Sequence, residues 1–391
     1  MTRARASAQR PAPAKDTRDG RDSALPLRVA LIGCGLIGRR RADVIRRTAD
    51  GSLVVAADVD LTRAEAVAED AGCQATADWE AVIHREDVQA VIVATPHNQL
   101  AAITTAALRR GKHVLVEKPM ARTPKEADAV LKETARAGAR ARRGAGERPL
   151  VVKVGFNHRH HPAIRKAHEL CAQGKIGELF YIRCRYGHGG RPGYAQEWRF
   201  NREVAGGGEL LDQGIHAIDL SRWFLGDVVE GFGYTPSYFW VPEGSARPRR
   251  RRGASAPPPV EDNAFGLLRT AAGKVASLHA SWTQWRNTFS FEVFGRDGYV
   301  IVEGLGGSYG PERLIWGRRR PESGPPQEQT FDFPGPDLSW DEEWKEFTTA
   351  IRERRQPLGN AEDARQAVRV VHAIYESGRT GRAVRLGADG G

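Results

Sequence analysis

The sequence predicts an α/β protein: a doubly wound parallel sheet, followed by an α+β domain built on a large, mainly antiparallel open sheet. Three observations point there. Residues 27–58 contain a complete strand, glycine turn, helix, strand and acid unit. Short apolar runs then alternate with helical stretches as far as residue 154, the pattern of parallel strands covered by helices on both faces. Beyond residue 225 the pattern becomes successive runs rich in Val, Phe, Tyr and Trp, separated by Gly, Asp and Asn, as in an antiparallel sheet.

The first unit opens with the apolar run Leu27–Ile32, suited to a buried strand, and leads straight into Gly33-Cys34-Gly35-Leu36-Ile37-Gly38 and a helix over 39–48. In that setting the glycines give a tight turn, close approach to a pyrophosphate and close helix packing, with phosphate held by amides at the helix start. A second strand, 53–57, ends at Asp58, twenty residues past Gly38. An acid there accepts from both ribose hydroxyls of an adenosine and repels a 2′-phosphate, so NAD is expected over NADP.

Helices over 62–71, 99–109 and 124–139 alternate with strands over 88–94, 113–116 and 150–154. In such sheets a ligand binds at the carboxyl ends of the strands. Two loops fall there, Thr95-Pro96-His97-Asn98 and Glu117-Lys118-Pro119. Thr95, Pro96, His97 and Glu117 are therefore assigned to the cofactor, with His97 as a loop donor rather than a catalyst. Lys118 has two readings: a cation favouring the alkoxide-like charge of an alcohol losing hydride, or a plain ion pair with Glu117. The Lys118–Pro119 bond is a candidate cis peptide.

Residues 136–149 are rich in Arg, Ala and Gly and read as an insertion. The crossover Gly155-Phe156-Asn157-His158-Arg159-His160-His161-Pro162 follows, with Asn157, His158 and Arg159 as candidate substrate contacts. Its three histidines lack a carboxylate or cysteine at partner spacing, so no metal is expected. A helix over 164–173 and a strand over 179–186 lead to a Gly-rich loop carrying His188, Arg191, Tyr194, Trp198 and Arg199. These groups suit a hydroxylated or phosphorylated ligand, or a surface loop stacked for stability.

Residues 206–219 read G-G-G-E-L-L-D-Q-G-I-H-A-I-D. The Gly triplet is a loop whose backbone comes close to something, a ligand being one candidate, before a helix over 209–225. On a regular helix Asp212 and His216 share one face, one turn apart, and form an acid/base pair; Asp219 and Trp223 continue that face. Strands are expected over 228–240, 264–270, 275–283, 289–294, 299–303 and 312–316, and helices over 339–355 and 361–377.

The net charge of +11 raises the possibility of nucleic-acid binding, but nine of those charges fall in 1–26, 136–149 and 241–262, low-complexity stretches that read as solvated. No apolar run approaches the roughly 20 residues that span a bilayer, and the four cysteines are far apart, so a reduced cytoplasm is expected. The expected organisation is a tail at 1–26, a dinucleotide-binding domain at 27–155 and a substrate-binding and oligomerisation domain at 156–386. Residues 241–262 are a loop insertion, and the last helices pack back toward the first domain.

With these residues in view, the chain resembles the Gfo/Idh/MocA oxidoreductases over 27–386. The resemblance rests on 33–38, Gly111 through Pro119, 155–162, 174–178 and 206–219 in the right order. It implies an N-terminal Rossmann domain, a C-terminal sheet that builds homodimers or homotetramers, and Lys118, Asp212 and His216 as the catalytic group, with His216 as base. It also implies sugar, inositol or nucleotide-sugar substrates, aminocyclitols and aminoglycosides being compatible. Some relatives are glycoside hydrolases that use NAD transiently, and a non-catalytic NAD sensor is a third reading. Many members carry a His where this chain has Leu100, so His97 or Asn98 is the candidate substitute.

Overall fold

The computed structural model describes residues 26–143, 149–240 and 260–387. In its first half β1 (Leu27–Ile32), α1 (Leu36–Arg47), β2 (Gly51–Ala57), α2 (Leu61–Ala71), β3 (Gln74–Thr76), α3 (Trp79–His84), β4 (Ala90–Val93), α4 (His97–Arg109), β5 (His113–Val116), α5 (Pro124–Arg143) and β6 (Val152–Val154) alternate along the chain. The six strands form one parallel sheet in the order β3-β2-β1-β4-β5-β6. Its central strands are apolar on both faces because helices cover both; Val29 to Leu31 and Ala90 to Val93 are fully buried.

A 3₁₀ turn (Asn157–His160) crosses to α6 (Pro162–Ala172), β7 (Leu179–Gly187) and the short α7 (Arg202–Ala205). A π-helical turn (Leu210–Gly214) runs into α8 (Ile215–Leu225), and β8 (Val228–Tyr234), β9 (Asn263–Thr270), β10 (Val275–Ser281), β11 (Thr288–Gly295), β12 (Gly298–Glu303), β13 (Glu312–Arg318) and β14 (Gln327–Phe333) follow. The chain closes with α9 (Ser339–Glu353), α10 (Ala361–Thr380) and β15 (Val384–Arg385). These strands form a nine-stranded sheet, β14-β13-β12-β11-β7-β10-β9-β8-β15, antiparallel except where β7 and β10 pair. The strict alternation of β9 buries one face on the helices and leaves Phe265 and Leu267 on the open one.

Helix α9 returns to the first sheet. Its Trp340, Trp344 and Phe347 complete the core beside α1, and a Cβ on Gly51 would come within 2.5 Å of the Trp344 ring.

Several expectations need correction. Helix α5 continues to Arg143, through much of the expected insertion; residues 144–148 lie outside the described ones. Strand β8 stops at Tyr234 because the N–H groups of Tyr238, Phe239 and Trp240 donate to the Asp262 carboxylate (2.9, 2.7 and 2.8 Å) instead of a neighbouring strand. Residues 241–259 of the expected loop insertion also lie outside the described residues, whereas Glu261 and Asp262 are buried and structural. Strand β14 lacks an apolar alternation, being a mostly exposed edge, and β3 and α3 are too short to leave a periodic trace.

Candidate active site

The dinucleotide turn is shaped as its glycines require. Gly33 takes φ +97° with its Cα against the Ala94 carbonyl, and a Cβ on Gly38 would lie 1.8 Å from the Gly33 carbonyl. Gly35 differs: a Cβ there would meet nothing within 4 Å, so its backbone faces open space at the start of α1. Leu36 is 80% and Val59 90% exposed, apolar groups left in water on either side of that turn. The Asp58 carboxylate accepts from the Cys34 N–H at 2.7 Å and the Asp60 N–H at 2.9 Å, fixing the acid at the end of β2. The Thr95 hydroxyl, at the end of β4, is buried without a partner. An open amide cradle, uncovered apolar neighbours, a placed acid and an orphaned hydroxyl fit a dinucleotide.

Lys118 ends β5, and its peptide to Pro119 is cis. Its Nζ donates to the carbonyl of Asp212 at 2.5 Å and to Asp212 Oδ1 at 2.6 Å. Asp212 Oδ2 accepts from Arg199 Nε at 3.0 Å, and His97 Nε2 lies 3.7 Å from Oδ1. Burial alone would raise this carboxyl, but Lys118, then Arg199 and His97, reverse that and hold it well below the usual carboxylate range. Asp212 is thus an anion gripped by two cations. The expected Lys118–Glu117 pair is not formed: Lys118 pairs with Asp212, and the Glu117 side chain, expected at the cofactor, is instead buried and bound to Arg41 (2.9 and 2.6 Å), so it is removed from the cofactor contacts.

The expected Asp212–His216 couple is not formed directly. The π turn over 210–214 widens the helix between them, so four residues no longer make one α turn and Asp212 swings to Lys118. His216 instead stacks on His158 (centroids 4.0 Å apart, planes at 23°), with its Nδ1 buried and unpartnered. Burial, then the Lys118 charge, hold His216 well below the ordinary imidazole range, and burial does the same to His158. Both rings are neutral. His97, one of the two candidates to replace the absent imidazole, is the one beside Asp212: it donates from Nδ1 to the Ala205 carbonyl at 2.9 Å, and burial lowers it to about 4. Leu100 is core.

Among the other candidates, Arg199 touches Asp212, its guanidinium lies 4.7 Å from the Trp198 ring, and Trp198 packs edge-on to His97. Arg191 is half exposed and pairs with Glu197 at 2.6 Å. His188 accepts from the Gly190 N–H at 2.8 Å and is lowered to about 4 by burial. Tyr194 is core, packed on Phe200 and Trp282. Asn157 and Arg159 are committed elsewhere: Asn157 donates to Ser339 Oγ at 2.9 Å, and Arg159 clamps Asp219 at 2.7 and 2.6 Å. Asn157 and Arg159 thus tie the crossover to α9 and α8; of that trio His158 alone stacks on His216.

Two acids were missed. Glu261 accepts from the Gly208 and Leu210 N–H groups (3.0 and 3.2 Å) and from the Tyr375 hydroxyl (2.7 Å), capping the start of the Asp212 segment. It is what the Gly triplet approaches: a Cβ on Gly208 would lie 2.0 Å from the Glu261 carbonyl, and one on Gly207 2.1 Å from the Tyr375 hydroxyl. A glycine run that demands a partner was the available signal, but nothing in it says which residue. Glu209 is fully buried with both carboxyl oxygens unpartnered, and burial, then Asp212, push it well above the usual range, so it stands neutral. Among the described residues no group of three or more His, Cys, Asp or Glu is placed to hold a metal ion, and no helix is long and apolar enough to cross a membrane.

Comparison with known proteins agrees with this architecture. Residues 27–144 match the oxidoreductase family model with an NAD-binding Rossmann fold, and residues 164–301 match the Gfo/Idh/MocA C-terminal domain. Levoglucosan dehydrogenase of Pseudarthrobacter phenanthrenivorans is 31% identical over 242 residues, 58% of this chain and 58% of that protein. The chain therefore spans under two thirds of that relative's length. 1,5-Anhydro-D-fructose reductase of Ensifer adhaerens is 29% identical over 364 residues, 92% of this chain and 98% of its own. The crystal structure of an oxidoreductase domain protein from Kribbella flavida superposes with TM-score 0.80 at 26% identity, covering 93% of this chain and 100% of that one.

Proposed function

We propose, for a chain that belongs to the Gfo/Idh/MocA oxidoreductase family, an NAD-dependent dehydrogenase or ketoreductase acting on a secondary ring hydroxyl of a sugar-like compound. The observation that carries it is the 2.6 Å contact between Lys118 Nζ and Asp212 Oδ1. It joins the carboxyl edge of the parallel sheet, beside the dinucleotide turn, to the segment bearing His216. Bound NAD would supply the hydride acceptor; Gly35, Leu36, Ile37, Asp58 and Thr95 would hold it, and Asp58 favours it over NADP.

The residues divide the remaining work. Neutral His216 accepts the hydroxyl proton, and with Nδ1 sealed inside the protein its Nε2 is the nitrogen offered to substrate. Lys118 offsets the alkoxide-like charge, and Asp212 with Arg199 fixes where that ammonium sits. Arg191, His188 and Trp198 line the approach to a hydroxylated or anionic substrate. On the open sheet face Tyr181, Phe265, Leu267 and Val275 leave apolar area in water, which supports pairing with a second copy of the chain.

The test is kinetic. A screen of inositols, anhydrosugars, nucleotide sugars and aminocyclitols for NAD reduction identifies the substrate. Purified His216→Ala and Lys118→Ala then bind NADH nearly as the parent does, while turnover falls roughly 100-fold or more. Parent-like turnover in both removes the mechanism.

A further inference from the structure

We infer that Arg41 and Glu117 are positioning residues that hold Lys118 in its working place from behind. The inference rests on the reading of Lys118 given above. Arg41 projects from the second turn of α1, the helix that begins at the dinucleotide turn. Its Nε and Nη2 donate to Glu117 Oε1 at 2.9 and 2.6 Å, and the same Nη2 lies 2.7 Å from Glu343 Oε2 on α9. Glu343 lies 3.4 Å from Lys153 Nζ on β6, which in turn donates to the Leu358 carbonyl at 2.7 Å. Two basic and two acidic side chains, none more than 9% exposed, make a buried cluster whose one edge is the residue before Lys118.

The surroundings are cut to this cluster. A Cβ on Gly155 would lie 2.8 Å from Glu117 Oε2 and 3.0 Å from Arg41 Nη2, so glycine there makes room for the pair. Trp340 covers the guanidinium, 4.4 Å from its ring centroid. The turn that Glu117 begins is strained: Met120 is fully buried with φ +70°, a conformation that L residues keep only where the surroundings impose it. At its start the turn is held by the backbone, the residue 117 N–H donating to the Val93 carbonyl and its carbonyl accepting from the Met120 N–H, while the Glu117 side chain anchors the same residue to Arg41. Buried ion clusters contribute little net stability compared with apolar packing of the same volume, so stability alone does not account for this one. Directional forks that meet one residue before a reacting ammonium do account for it, because misplacing a reacting group by about 1 Å can cost on the order of 100-fold in rate.

The test follows Lys118 itself. Full-length parent, Glu117→Gln and Arg41→Lys are treated with formaldehyde and a borane reductant, and methylation of each lysine is timed by peptide mass spectrometry. Lys112, buried and bonded to the Arg85 and Val88 carbonyls, is the internal reference. Expected is a rise of about fivefold or more in Lys118 labelling, with Lys112 unchanged and NADH affinity within about threefold, and a fall in kcat of about tenfold or more per NADH-binding site. Parent-like Lys118 labelling in both variants, or labelling that rises equally at Lys112, overturns the inference. If neither variant folds, Gly155→Ala keeps every charge while crowding Glu117 and is judged by the same two outcomes. Lys118→Ala separates the two levels: if it keeps turnover, the reading of the site fails, whereas the labelling result stands without any substrate.

Discussion

Asp212 and Asp219 sit seven residues apart on one helical segment, both buried and both paired with arginine, yet they differ in what their partners leave available. Asp219 is closed off: Arg159 grips both its oxygens, Asp363 and Trp223 flank the guanidinium, and the Arg159 side chain is 3% exposed. Burial raises its carboxyl and Arg159 does not fully offset it. Asp212 shares its oxygens between Arg199 and Lys118, and Lys118 is 18% exposed, enough to meet a ligand. Burial of a charged pair is therefore not what marks a site. What sets the proposed site apart is a partner that retains access after the pair is formed.

The sharpest way to break that contrast is to neutralise each acid in turn. Asp219→Asn leaves Arg159 a buried, half-paired cation and should cost about 3–5 kcal/mol of stability, read by denaturant unfolding. The protein that remains folded should turn over normally. Asp212→Asn should differ in turnover, which falls roughly 100-fold, on top of whatever stability the lost pairs with Lys118 and Arg199 cost. Equal effects of the two substitutions on both readouts would erase the distinction.

Acid sharpens it further, since His97 is wedged against Asp212. Its folded value of about 4 lies below the ordinary 6.5. Between those limits the unfolded chain holds a proton that the folded one does not, so stability is fully present above pH 6.5 and is lost as pH falls toward 4. Burial lowers His158, His160, His188 and His216 in the same direction, so His97→Gln should reduce, without abolishing, the loss of stability between pH 6.5 and 4, by about 3 kcal/mol. The smallest effect is expected in the dinucleotide turn. Gly35→Ala adds a methyl that meets no protein atom, so Tm should hold while NADH binding weakens about tenfold. Unchanged NADH affinity would show that this face of the turn is not where the cofactor lies.

The elements of the nucleotide half were legible because their signals are local. Residues 27–58 carry strand, turn, helix and acid in one continuous run, and Gly38 closes on Gly33 within it, whereas what Gly33 and Gly51 make room for, Ala94 and Trp344, shows only in the fold. The elements that escaped are those with weak local signals: β14 is polar and exposed but for Phe331 and Phe333 at its end, and β3 is three residues long. Lys118, Asp212 and His216 could be named from motif order, but the wiring among them could not. An i,i+4 spacing implies a shared face only on a regular α-helix, and the π turn at 210–214 breaks that premise. Arg159 and Asn157 looked like ligand contacts for a similar reason: polar residues on a crossover serve a substrate or a domain junction equally well until the junction is seen.

The amino-acid order alone determined that this chain builds a dinucleotide turn, a parallel sheet and then an antiparallel one, because strand and helix periodicity and a tight glycine turn act over a few residues. Tertiary structure alone decided which partner each buried charge takes: Glu117 with Arg41 76 residues away, Lys118 with Asp212 94 away, and Glu261 on the Gly triplet 53 away. A charge excluded from water must pair with whatever the fold brings within about 3 Å, and that neighbour is fixed by the packing of sheets and helices, not by distance along the chain.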